Sequence, residues 1–119
     1  SWVKTPLSQR YELIFDDKKM VSQQFPTDTG GIDLLVISKD KSEYLVIELK
    51  KGRGHDAVVG QVLRYMGYVK TELAVNGEKV RGLILAHEDD LRIRNALKMV
   101  DNVDFYTYEV SFKLSVVQP

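Results

Sequence analysis

Asp33, Glu48 and Lys50 are the residues of this chain whose types and spacing could do hydrolytic chemistry. Asp33 follows Gly31-Ile32 and opens the apolar run 34–37, while Glu48-Leu49-Lys50 closes a second run, 44–47. A carboxylate buried where strands pack is costly unless it has a partner or a metal. Two carboxylates and the Leu49 carbonyl meeting at one point would suit a hard divalent cation such as Mg²⁺, which takes oxygen ligands and keeps several waters. A neighbouring ammonium could orient a water and stabilise charge developing on a phosphate. The expected chemistry is phosphodiester hydrolysis, with Asp33 and Glu48 as metal ligands. The same spacing also serves a plain Asp33/Lys50 or Glu48/Lys50 ion pair at a strand end.

Two strands joined by the short polar segment 38–43 must position these groups. Alternate side chains on a strand share a face, so Glu48 and Lys50 project together, about 7 Å apart. Leu49 is expected to turn into the core and leave its carbonyl at the corner. Asp33 joins them only in the register that sets it opposite Glu48, with Asp40-Lys41 at the centre of a tight turn. A one-residue slip sends Asp33 to the other face unless a bulge restores it.

The remaining pattern predicts an α/β fold, with a mixed central sheet of about five strands flanked by helices. Thr5-Pro6 with Leu7, Tyr11 and Ile14 reads as a short N-terminal helix within residues 1–17. Strands are expected over 20–25, 32–38, 44–49, 80–86 and 103–110, and a sixth short strand or edge over 112–117. Val58, Val62, Tyr65, Val69 and Leu73 predict a long helix over 56–74. Asp89 or Asp90 is expected to cap a second helix carrying Ile93, Ala96, Leu97 and Val100.

At 119 residues the chain is read as one domain, 1–119. It opens on Ser1 rather than methionine, which is compatible with a fragment of a longer protein. No apolar run approaches the roughly 18 residues of a membrane span. The absence of cysteine excludes disulfides and thiolate sites, and a cytoplasmic location is expected. Formal net charge is zero, yet residues 49–71 hold five bases (Lys50, Lys51, Arg53, Arg64, Lys70) against one acid, Asp56. A local positive patch can steer an anionic polymer even on a neutral domain.

Gln61 and Tyr65 lie four apart on one helix face, where Gln61 could hold a water, a phosphate or Lys50. Tyr65 belongs equally to the apolar stripe. Lys51, Arg53 and Arg64 are candidate phosphate contacts, which position a nucleic acid without reading its sequence. His55 and His87, 32 residues apart, show no metal-ligand spacing and are read as non-catalytic. Tyr106 and Tyr108 are read as packing residues.

Asp33, Glu48-Leu49-Lys50 and the Gln61/Tyr65 pair together resemble the PD-(D/E)XK, or restriction-endonuclease-like, nuclease superfamily. Residues 25–35, 46–51 and 56–61 are more narrowly similar to the C-terminal domain of NucS/EndoMS-type endonucleases. The resemblance covers roughly residues 20–110 and implies a Mg²⁺-dependent endodeoxyribonuclease, with Mn²⁺ as substitute. It implies Asp33, Glu48, Lys50 and Gln61 as catalytic residues and Asp33, Glu48 and Leu49 at the metal. Lys51, Arg53, Arg64 and Tyr65 would then face DNA, and a homodimer or an additional domain is expected. Two departures stand out. Gly31 occupies a position where NucS-like sequences often have arginine, and Glu12 is the one acid available upstream to complete the site. The competing readings are a DNA-binding module that does not cut, and a protein-interaction domain with a strand-end salt bridge.

Overall fold

The computed structural model describes residues 2, 5–52, 56–109 and 114–117. Its centre is a six-stranded mixed sheet built on two long strands, β5 (Gly30–Ser38) and β6 (Glu43–Leu49). Their apolar runs are buried, as continuous Leu/Val/Ile stretches demand when both sheet faces are covered. On the outer edge of β5, β1 (Tyr11–Leu13) pairs with its far end and β4 (Gln23–Thr27) with its near end. The chain between them leaves the sheet as a small hairpin, β2 (Phe15–Asp16) and β3 (Lys19–Met20). Fully buried Ser22 closes the base of that excursion, its Oγ accepting the Ile14 N–H at 2.7 Å.

On the other side, β6 pairs in parallel with β7 (Lys79–Ala86), and β7 with β8 (Val103–Thr107). The crossovers are helices α1 (Ala57–Glu72) and α2 (Leu91–Leu97). Val58, Val62, Tyr65, Met66 and Val69 of α1 pack against Leu35, Val46 and Ile84, with Ile93 of α2 and Val103. Tyr11, Val36, Leu45, Ile47 and Leu83 form a second layer on the opposite face, covered by Trp2, Leu7 and Leu13.

The α/β layout with its mixed sheet agrees with the sequence reading, and the N-terminal segment departs from it. Pro6–Gln9 makes only a 3-10 turn, and Tyr11, expected on a helix, begins β1. Residues 11–13 pair with residues 36–38 of the exposed edge of β5, and that ladder outweighs a short, weak helical stripe. The expected strand over 20–25 is divided between β3 and β4. Of the expected tail strand, residues 112 and 113 lie outside the described residues, and 114–117 carry no regular structure. Among the described residues no helix is long and apolar enough to cross a membrane.

The hairpin between β4 and β5 rests on α1 through Gly30, whose φ of +138° is open to glycine and rarely to other residues. A Cβ there would also stand 2.7 Å from the Tyr65 hydroxyl. Gly30→Ala is therefore expected to destabilise the protein by about 1–3 kcal/mol, read as a lowered urea midpoint at unchanged slope.

Candidate active site

The paired register of β5 and β6 runs from Ile37/Tyr44 to Leu34/Ile47, so the next step along both strands sets Asp33 beside Glu48. This is the register the site requires. The turn is wider than a two-residue turn at Asp40-Lys41. Lys41 N–H bonds the Ser38 carbonyl at 2.8 Å, and Lys41 itself is left-handed, with φ 65°. Asp40 ties the loop by accepting from both Ser38 and Ser42 hydroxyls at 2.6 Å.

At the corner the carboxylates bind across the strands. The Asp33 N–H donates to Glu48 Oε2 at 2.9 Å, and the Leu49 N–H donates to Asp33 Oδ2 at 2.9 Å. Glu48 is 1% exposed, on the α1-facing side with Val46. Its second oxygen, Oε1, is buried and has no hydrogen-bond partner among the described residues. Asp33 Oδ1 accepts from Gln24 Nε2 at 3.1 Å and lies 3.3 Å from Lys51 Nζ.

These environments push the two acids apart. Burial raises Glu48 to about 7; the Asp33 N–H opposes this, while the Asp33 carboxyl adds to it. Asp33 is held below the ordinary carboxylate range, because bonds from Leu49 N–H and Gln24 and the Lys51 charge outweigh its own partial burial.

Asp33, Leu49, Lys50, Lys51 and Gln61 line one small pocket of about 130 Å³, closed on the α1 side by Ala57 and Val58. That volume corresponds to roughly four waters. The structure thus brings together Asp33, Lys50 and Gln61 in one pocket, with buried Glu48 bonded to the Asp33 N–H. Leu49, expected to turn inward, is 42% exposed. The Lys50 ammonium lies 3.5 Å from Asp90 Oδ2, and it is Lys51 that contacts Asp33. Arg64 is exposed on α1, donates to Thr29 Oγ1 at 3.1 Å and stacks over the Tyr65 ring. Tyr65 is 3% exposed, so its ring packs in the core rather than on a surface open to DNA. Arg53 and His55 lie outside the described residues. His87 packs against Tyr108 at the end of β7, and Asp90 caps α2 by accepting from the Arg92 and Ile93 N–H groups.

Glu12 does not complete the corner. It sits on β1 opposite Ile37, near the other end of β5, and pairs with Lys41. Among the described residues no three His, Asp or Glu side chains converge. The oxygen set is therefore sparse, two carboxylates and a nearby strand-end carbonyl, which suits a cation that keeps much of its water. The orphaned Glu48 Oε1 supplies the unmet acceptor such an ion would satisfy.

Gln24 escaped the sequence reading. It adopts φ 48° inside β4, opposite Asp33, where a side chain pays a conformational cost to reach the carboxylate. Its only sequence signal is that Gly31, across the strand pair, leaves room: a Cβ there would lie 3.0 Å from Gln24 Oε1.

The model of the Endonuclease NucS C-terminal domain family matches residues 3–111. The chain belongs to this family. It is 33% identical over 76 residues to Endonuclease NucS of Methanocaldococcus jannaschii, a match covering 63% of this chain and 27% of that protein. With Endonuclease NucS of Pyrococcus furiosus it shares 32% over 82 residues, covering 63% and 29%. A repair endonuclease from Pyrococcus abyssi superimposes with a TM-score of 0.63 at 25% identity, over 84% of this chain and 39% of that one. An EndoMS–dsDNA complex shares the fold, with a TM-score of 0.64 at 22% identity over 87% and 38%. This NucS C-terminal domain therefore spans well under half the length of the relatives it matches.

The raised Glu48 pKa has a consequence for stability. The unfolded carboxyl titrates near 4.5 and the folded one near 7, so folding retains its proton. The resulting stabilisation is complete below about pH 4.5 and is lost as pH rises through about 7. Metal-free protein is expected to lose stability across that window, and Glu48→Gln to flatten the profile, in denaturant titrations at fixed ionic strength. Asp33, with its lowered pKa, acts oppositely and only at pH values below this window.

Proposed function

We propose that this domain hydrolyses DNA phosphodiester bonds with a divalent cation, Mg²⁺ or Mn²⁺, held by Asp33 and Glu48. The observation that carries the reading is Glu48 paired to Asp33 at the strand ends, its Oε1 buried without a hydrogen-bond partner among the described residues, while Asp33 lines a pocket with Lys50, Lys51 and Gln61. When bound, the cation would polarise the phosphodiester and make a water more acidic.

The chain's own residues then divide the remaining work. Asp33, already ionised, and Glu48, ionised once its proton is displaced, are the oxygen donors, with the Leu49 carbonyl as third candidate. Lys50 supplies fixed positive charge at the pocket wall, where charge develops on the phosphate. Gln61 offers an amide that orients a water or a phosphate oxygen. Lys51 and Arg64, both exposed, hold the backbone of the DNA without reading its sequence. The shared fold with EndoMS bound to double-stranded DNA supports DNA as the polymer.

A second reading has its own observation. Lys50 pairs with Asp90, Asp33 is already engaged by Gln24 and Lys51, and Glu12 lies far along β5. A domain arranged so would bind DNA and depend on a second copy or a further domain for cutting.

Incubation of single-stranded, duplex and branched DNA with Mg²⁺ or Mn²⁺ separates the two. Asp33→Ala, Glu48→Ala and Lys50→Ala are each expected to slow cleavage about 100-fold or more; unchanged rates would remove these residues from their roles. Salt-sensitive binding without metal-dependent cutting would favour the second reading. Lys51→Ala and Arg64→Ala are expected to weaken binding to all sequences alike and to lower the salt slope by about one each, measured by fluorescence anisotropy.

A further inference from the structure

Lys50 stands two residues beyond Glu48, just past the end of β6, where its ammonium could pair with the two carboxylates. It does not. Its backbone is fixed by the Lys50 N–H bond to the Leu85 carbonyl at 2.8 Å, which extends the β6–β7 pairing by one residue. Its ammonium is turned to Asp90 Oδ2 at 3.5 Å and the Gly52 carbonyl at 3.4 Å. Both side chains of the ion pair are largely buried, 14% and 13% exposed.

Asp90 is itself immobilised. Its Oδ1 accepts from the Arg92 N–H at 2.9 Å and the Ile93 N–H at 3.2 Å, and Ile93 is fully buried. One carboxylate therefore caps α2 with one oxygen and faces the lysine with the other. The ammonium is left on the wall shared by the 130 Å³ pocket over Asp33 and a larger cavity of about 800 Å³ lined by His87, Asp90 and Tyr108.

We propose that Asp90 is a positioning residue that draws the Lys50 ammonium off Asp33 and Glu48 and so keeps both carboxylates open to a cation. The inference rests on the reading of that corner as a metal site. Its logic is competition: a buried charge that loses its partner seeks another, and Asp33, which lines the same small pocket as Lys50, is one such partner, alongside Glu88 and Asp89 in the larger cavity. Lys51, 72% exposed in its side chain, competes for Asp33 only from solvent.

The test is Mn²⁺ binding by calorimetry on the full chain. Asp90→Asn keeps an oxygen for the α2 cap and loses the charge, and Asp90→Ser provides a second capping variant. Both are expected to weaken Mn²⁺ binding about tenfold, an effect that disappears in a Lys50→Ala background. A general loosening of the fold would weaken binding equally in both backgrounds and would overturn the proposal, as would unaltered Mn²⁺ affinity in the Asp90 variants. A second readout needs no metal: the Lys50 side-chain NMR signals of metal-free protein are expected to move in Asp90→Asn. If they do not, Asp90 does not position Lys50. Should the native chain bind no Mn²⁺ at all, the metal-site reading fails and the competition claim with it, while the NMR comparison still decides whether Asp90 holds the lysine.

Discussion

Where the paired register of β5 and β6 ends at Leu34/Ile47, the strands stay linked through side chains: the Asp33 N–H is taken by Glu48 and the Leu49 N–H by Asp33. This reciprocal exchange holds two carboxylates together that would otherwise repel, because each is bonded through a backbone donor fixed in a strand. It also makes the register costly to change. A slip by one residue would turn Asp33 to the face opposite Glu48 and strip two N–H groups of their acceptors. The pKa division follows from the same geometry: the more buried acid retains its proton, and the one ringed by donors loses it.

The elements around the fork are arranged to support it. α1 closes the pocket with Ala57, Val58 and Gln61, and its Tyr65 fills the space that Gly30 leaves free. Gln24 accepts a left-handed backbone in order to reach Asp33. α2 contributes through its cap, since Asp90 stabilises the helix start and engages Lys50 at once. Strain and buried charge thus gather within one corner of an otherwise apolar sheet, the distribution expected of a functional site.

Much of this was legible in the sequence. The continuous apolar runs announced β5 and β6 and the spacing of Val58, Val62, Tyr65 and Val69 announced α1, while strand alternation named the register the corner would need and the pairing of β5 with β6 supplied it. What escaped detection depends on contacts distant in the chain. Tyr11 has a helical neighbourhood locally and joins a strand because the edge of β5 needs a partner. Strand alternation puts Lys50 on the Glu48 face; that its head turns to Asp90 is decided by α2, 40 residues later. Gln24 depends on a left-handed backbone angle inside β4, and Gly31 was too slight a signal to reveal it. Tyr65 carried two readings, and burial under the β4–β5 hairpin assigns its ring to packing.

The charges at the corner give the arrangement its electrostatic sense. Asp33, Glu48 and Asp90 face Lys50 and Lys51, so the set is neutral with Glu48 protonated (two negative, two positive) and −1 with it ionised. A divalent cation displacing that proton would carry the set to +1, next to Arg64 on the neighbouring helix face. On the proposed reading, the corner attracts a phosphate backbone only after it has taken up its ion. Uptake has to displace that proton, and once bound the cation supplies the positive partner that an ionised Glu48 lacks at this depth. That order, cation before polyanion, follows from a carboxylate too buried to stay charged alone.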